Sequence, residues 1–308
     1  MSNFIYGPVP SRRLGRSLGL DIVVPKTCTV DCIYCQIGSV PPYPPKRKRF
    51  FEPELIEKEL ARAVEANDRI DYITFSGSGE PTLSLDIGRL IRFAKSLDVA
   101  PVCVLTNGTL LSDPVVREEL SAADVVIPNL DAADSETFQA VNRPHKDIHY
   151  EDYLEGILKF KSEFHGALFL EIVLVKGVND SDEHIHKLAE RVREIEPDGV
   201  WIGTVSRPPA ETWVEPVSDD TLRMARETIG KDSRVIDKFH GEAFVATHSD
   251  LMARILELLK RRPEKAEAIA RSLGANVHET LKVIVALEDK KLIRRRDMAG
   301  DVYFEVAD

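Results

Sequence analysis

A repeated order of short apolar run, turn and amphipathic helix is the feature that most restricts how this chain folds. Residues 17–24, 70–75, 102–105, 125–127, 167–175 and 200–205 read as strands that are apolar on both faces. Helical periodicity fills 52–66, 87–97, 113–122, 150–164 and 181–195 between them. Steady alternation of this kind calls for parallel strands with helices outside, and so for an α/β fold. Six strand-helix units are too few to close an eightfold barrel.

The turns that follow these strands carry the unusual residues. Beyond the first strand, which Pro25 ends, comes Cys28-Thr-Val-Asp-Cys32-Ile-Tyr-Cys35. Three closely spaced thiols suit several chemistries. Zinc normally adds a second Cys or Cys/His pair at matched spacing, and none follows Cys35 at that distance. Disulfides need an oxidising compartment, whereas the start of the chain lacks a basic and apolar secretory segment. An iron-sulfur cube takes one thiolate per iron, so three sulfurs leave one iron open to a ligand that is not protein. The remaining cysteine, Cys103, sits inside an apolar run and reads as a small core residue.

The second strand runs into Gly77-Ser78-Gly79-Glu80, where glycines let the backbone approach a ligand and Glu80 adds a negative group. A plain turn with a solvated Glu80 is the alternative. Asn129 and Asp131 stand two apart, a spacing that in extended chain points both side chains one way to grip a diol; an Asx turn is the alternative. Glu171 interrupts an otherwise apolar strand, so it must be paired or face a cavity. Arg12, Arg13 and Arg16 precede the first strand, Arg143 and His145 lie in a crossover, and Arg207 follows the sixth strand, where a cation meets an acidic group. The cluster Lys46-Arg-Lys-Arg49 reads as a solvated surface.

The spacing CxxxCxxC, with Tyr34 before the last cysteine, resembles the radical S-adenosylmethionine (SAM) superfamily. The resemblance extends over residues 12–211 and implies a partial (βα)6 TIM-like barrel. It implies a 4Fe-4S cluster on Cys28, Cys32 and Cys35, with SAM on the fourth iron and cleaved by one electron to a 5′-deoxyadenosyl radical. It further implies that Gly77, Ser78, Gly79 and Glu80 take the SAM amino group, although Ser78 stands where the superfamily's motif has glycine. Tyr34 would pack near the adenine, Asn129 and Asp131 would hold the ribose, and Glu171 would face the SAM cavity. Arg12, Arg13, Arg16, His145 and Arg207 are left to the substrate, Arg207 alternatively to the SAM carboxylate. An electron donor of flavodoxin or ferredoxin type is implied. The branch resembled includes tRNA wyosine-base synthases, but the additional N-terminal cysteines of those enzymes have no counterpart before Cys28. Whether the substrate is tRNA, a peptide or a metabolite is left open.

With 308 residues there is room for one large domain, expected at 1–249, and a small one at 250–308. Helices at 251–259, 264–273 and 277–289 and a hairpin around Ala299-Gly300 resemble a winged helix-turn-helix domain. A second function class follows: an iron-sulfur redox-sensing transcription regulator. However, the chain's net charge is -10 and the expected recognition helix, from His278, ends in Glu288-Asp289, which gives phosphate contact weak footing. Docking of a peptide, protein or RNA substrate is the other reading of this domain. Apolar runs fall short of membrane-spanning length, and a cytoplasmic protein is expected. Residues 216–249 carry no clear pattern beyond a helix at 221–229 and a strand over 235–246 that turns at His240-Gly241.

Overall fold

The computed structural model describes residues 4–230, 232–236, 251–275, 277–298 and 300–307. One sheet of eight strands organises the larger part. Strand β1 (Ile5–Ser11) pairs antiparallel with β2 (Gly15–Leu20). Then β3 (Tyr72–Phe75), β4 (Val102–Thr106), β5 (Val125–Pro128), β6 (Ala167–Leu174), β7 (Gly199–Thr204) and β8 (Ser233–Val235) follow in spatial order, each parallel to the one before.

That order never reverses, so right-handed crossovers put every helix on one face. The other face can then be covered only by curling the sheet on itself, as a barrel does. The crossover helices are α1 (Pro53–Glu65), α2 (Ile87–Ser96), α3 (Pro114–Leu120), α4 (Ser135–Val141), α5 (Tyr150–Glu163), α6 (Asp182–Ile195) and α7 (Asp219–Ile229). Strands β2 to β7 with their helices make the six expected units. Among the described residues the sheet has two edges, β1 and β8, so the barrel they form is open.

Strands apolar on both faces become the core. Leu18, Leu20, Ile73, Phe75, Leu170 and Ile172 have no exposure, and each such side chain contributes roughly 1.5–3 kcal/mol on leaving water. Local chemistry sets the helix starts: Asp113, Asp134, Ser181 and Ser218 each accept a backbone N–H of the turn that follows. Strand β1 contains Pro8 and Pro10, which obscure it in the sequence and which only an edge strand tolerates. In residues 216–249, where a helix at 221–229 and a strand over 235–246 were expected, α7 starts two residues earlier than expected and β8 covers Ser233–Val235. The expected turn at His240-Gly241 and the strand beyond it lie outside the described residues.

The C-terminal part folds around its own apolar cluster, with Ile255, Ile269, Ile284, Leu287, Ile293 and Phe304 at its centre. Its elements are α8 (Leu251–Arg261), α9 (Ala266–Leu273), α10 (Val277–Asp289) and the antiparallel pair β9 (Ile293–Met298) and β10 (Asp301–Val306). Gly274, at φ +60°, stops α9. Helix α9 lies against β1, the Tyr303 hydroxyl donates to the Ser206 carbonyl at 2.9 Å, and Arg296 donates to the Pro209 carbonyl at 2.7 Å. Among the described residues no helix is long and apolar enough to cross a membrane.

Candidate active site

At the carboxyl ends of the strands a cavity of about 380 Å³ opens, and Cys28, Cys32 and Cys35 all line it. The loop carrying them is tied down on both sides. Lys26 N donates to Ser78 O at 2.6 Å and Glu80 N to Thr27 O at 2.8 Å, which zips the loop to the turn after β3. On the far side Ile33 N donates to Val141 O at 3.0 Å. Gly79 is required here: a Cβ on it would stand 2.3 Å from Thr27 O, a backbone atom that cannot move aside.

Two asparagines address the sulfurs. Asn107 Nδ2 donates to Cys28 Sγ at 3.4 Å and Asn142 Nδ2 to Cys32 Sγ at 3.3 Å. Burial, reinforced by Glu80, pushes the Cys28 thiol up to about 12; burial and Asp131 raise Cys32, and burial raises Cys35. Among the described residues no three His, Cys, Asp or Glu side chains gather as they would around a single metal ion. The sulfurs instead share the wall of one cavity.

Glu80 is buried and lines the cavity, but its carboxylate also organises the wall. Oε1 accepts from Thr82 N, Thr82 Oγ1 and Thr106 Oγ1, and Oε2 accepts from Asn107 N at 2.7 Å. Burial raises its pKa against these four donors. Gly77 and Ser78 line the cavity too, and Asp21 braces the turn by accepting from Ser78 N at 3.0 Å and Ser78 Oγ at 2.6 Å.

The expected diol grip of Asn129 and Asp131 is not what the fold builds. Asn129 lines the cavity, whereas Asp131 is absent from its wall and only 1% exposed. The Asp131 carboxylate accepts from the Tyr34 hydroxyl, from Asn142 Nδ2 at 2.8 Å and from Val173 N at 2.8 Å. The reason is that β5 ends at Pro128, so the alternation of an extended strand no longer applies at Asp131, three residues later. Asp131 is thereby an anchor for Tyr34 and Asn142, which do reach the cavity.

Glu171 satisfies both sequence readings: it lines the cavity and is ion-paired with Arg13. Arg12, Arg13 and Arg207 join the wall. Arg16 does not; it lies within β2, where its N–H donates to Asp71 at 2.7 Å. His145 also stays off the wall, its Nδ1 accepting from Asp147 N at 3.3 Å. Arg143 pairs with Glu211 outside the cavity. Sequence reading missed Asn107, Asn142 and Arg262 on the wall. Asn107 carried a signal, since it sits in the Thr-Asn-Gly turn closing β4, where this fold class places its chemistry.

The family model described as "Radical SAM superfamily" matches residues 22–189. The chain is 33% identical over 306 residues to "UPF0026 protein MJ1312" of Methanocaldococcus jannaschii, spanning 97% of this chain and 94% of that protein. It is 34% identical over 309 residues to a Brachyspira hyodysenteriae protein named "GTPase Obg", but spans only 45% of that protein's length. Among solved structures, a radical SAM methyltransferase from Sphaerobacter thermophilus shares the fold with a TM-score of 0.52 at 16% identity, over 71% of this chain and 66% of that one. The matched span covers more than half of the chain and holds all three loop cysteines together with Glu80, and on that ground the chain belongs to the radical SAM superfamily.

Proposed function

We propose that Cys28, Cys32 and Cys35 hold a 4Fe-4S cluster and that SAM lies against it in the cavity. The superfamily's enzymes use these two cofactors. The observation that carries the assignment to these residues is their convergence: three sulfurs, the Gly77–Glu80 turn and Asn129 line one cavity at the barrel's carboxyl end. The site suits such a group in its donors as well. Asn107 and Asn142 offer N–H groups to sulfur, and buried thiols with raised pKa values call for a cation to displace their protons. Bound, the pair supplies one-electron cleavage of the sulfonium to methionine and a hydrogen-abstracting 5′-deoxyadenosyl radical.

The chain's own residues then have defined tasks. Glu80 Oε2, which among the described residues accepts only Asn107 N, takes the methionine ammonium. Asn129 offers its amide to the ribose, and the Tyr34 ring, held through its hydroxyl by Asp131, flanks the adenine. Glu171 and Arg13 close a wall with no uncompensated charge between them. Burial of this wall keeps water away from a radical that abstracts hydrogen from its nearest neighbour. An electron donor of flavodoxin or ferredoxin type reduces the centre. Residues 250–308 form a second domain of winged helix-turn-helix kind, and its contacts with the mouth of the barrel favour substrate docking over DNA binding.

The test is anaerobic reconstitution with iron and sulfide, then addition of dithionite and SAM. The wild type should release 5′-deoxyadenosine, and Cys28→Ala, Cys32→Ala and Cys35→Ala should release none. Equal release from the alanine variants would remove the three cysteines from the chemistry.

A further inference from the structure

One wall of the cavity carries a cation surplus that the cofactor reading leaves unused. Arg12 comes from the β1–β2 turn, Arg207 from the segment after β7 and Arg262 from the end of α8, and all three line the cavity. Among the described residues a single buried carboxylate faces them, Glu264, at 3.0 Å from Arg207 and 3.3 Å from Arg262. Among the described residues Arg12 has no carboxylate within ion-pair distance, and Arg207 Nε is buried without a hydrogen-bond partner. Burial, with Arg207 as a neighbouring cation, lowers Arg12 and Arg262 to about 10, so both remain charged at neutral pH. Among the described residues, three guanidiniums against one carboxylate leave two positive charges on this wall. The neighbouring pair of Arg13 with Glu171 is already neutral.

A buried excess of this size with an orphaned donor asks for a ligand that supplies both charge and acceptors. One carboxylate would balance half of it. A phosphate monoester carries close to two negative charges and three acceptor oxygens, and the planar fork of arginine suits it. We propose that Arg12, Arg207 and Arg262 form a phosphate subsite that orients a phosphomonoester substrate at the cavity, completed by the C-terminal domain through Arg262. This assignment rests on the reading of the cavity as the active site. It gives the C-terminal domain a part in substrate selection, because its residues enter the same wall as the cysteines.

The experiment is calorimetric titration of the reconstituted full-length protein, without reductant, with methyl phosphate at about pH 8, where the monoester is dianionic. Dimethyl phosphate and acetate serve as single-charge comparisons. Methyl phosphate should bind saturably and at least about tenfold tighter than either comparison, with or without saturating SAM. Arg12→Gln, which breaks no ion pair among the described residues, should weaken binding about tenfold, and Arg262→Gln should do the same. Arg89→Gln, on the outer helices, should leave it unchanged. Glu264→Gln removes the competing charge and should tighten binding, the opposite of what a damaged fold would give.

Absence of saturable binding, or equal affinity for the three anions, would overturn the subsite. So would displacement of methyl phosphate by SAM, which would assign the guanidiniums to the cofactor carboxylate. No turnover is read, so the two readings fail separately. A protein that cleaves SAM but ignores phosphate refutes the subsite alone, and one that binds phosphate without cleaving SAM refutes the cofactor reading alone.

Discussion

Asp21 shows how a single residue couples the barrel to the Gly77–Glu80 turn. Its buried carboxylate accepts twice from Ser78 and lies 3.6 Å from Arg261, whose guanidinium stacks 4.4 Å from the centre of the Tyr6 ring. Burial outweighs these partners and raises its pKa. A carboxyl whose folded pKa exceeds its unfolded value stabilises the fold fully below about pH 4 and loses that contribution as pH rises through the folded value. The melting temperature of the wild type relative to Asp21→Asn should therefore fall as pH rises above about 4; a difference that grows with pH would contradict it. The same scale shows what residues reveal in a sequence. Cys28, Glu80, Glu171 and Arg207 stand in or just after apolar runs, where strand geometry aims them at the cavity. Asp131 misled because the strand ends three residues before it, at Pro128, and Arg262 was hidden because only tertiary docking brings α8 to the wall.

Among the elements, the turn after β3 and the cysteine loop act as one unit. Their two backbone hydrogen bonds depend on an approach that only glycine at 79 permits. Gly79→Ala should force them apart at a cost of about 3 kcal/mol, lowering both the melting temperature and the iron bound per chain after reconstitution. Wild-type iron content in that variant would show that the zipper is not needed for the cluster. Regular elements with strong periodicity were legible from sequence, including α5, β6 and the three C-terminal helices. Strand β1 was not, since Pro8 and Pro10 read as turn residues until an edge position and the cover of α9 explain them. The joint between the two parts was equally hidden, because hydrogen bonds such as Tyr303 to Ser206 span residues far apart in the chain.

At the scale of the molecule, a chain of net charge -10 holds four arginines on the wall of its principal cavity, so acidity overall and cation at the mouth coexist. The barrel places three sulfurs and the Gly77–Glu80 turn on that cavity, and the C-terminal part packs across the same end. The central claim is that the sulfurs carry a cluster with one iron free for SAM. Electron paramagnetic resonance of the reduced, reconstituted protein tests it most directly. The account predicts a 4Fe-4S signal whose shape changes when SAM is added, and none in Cys32→Ala. A signal indifferent to SAM, or a protein that stays colourless after reconstitution, would contradict it.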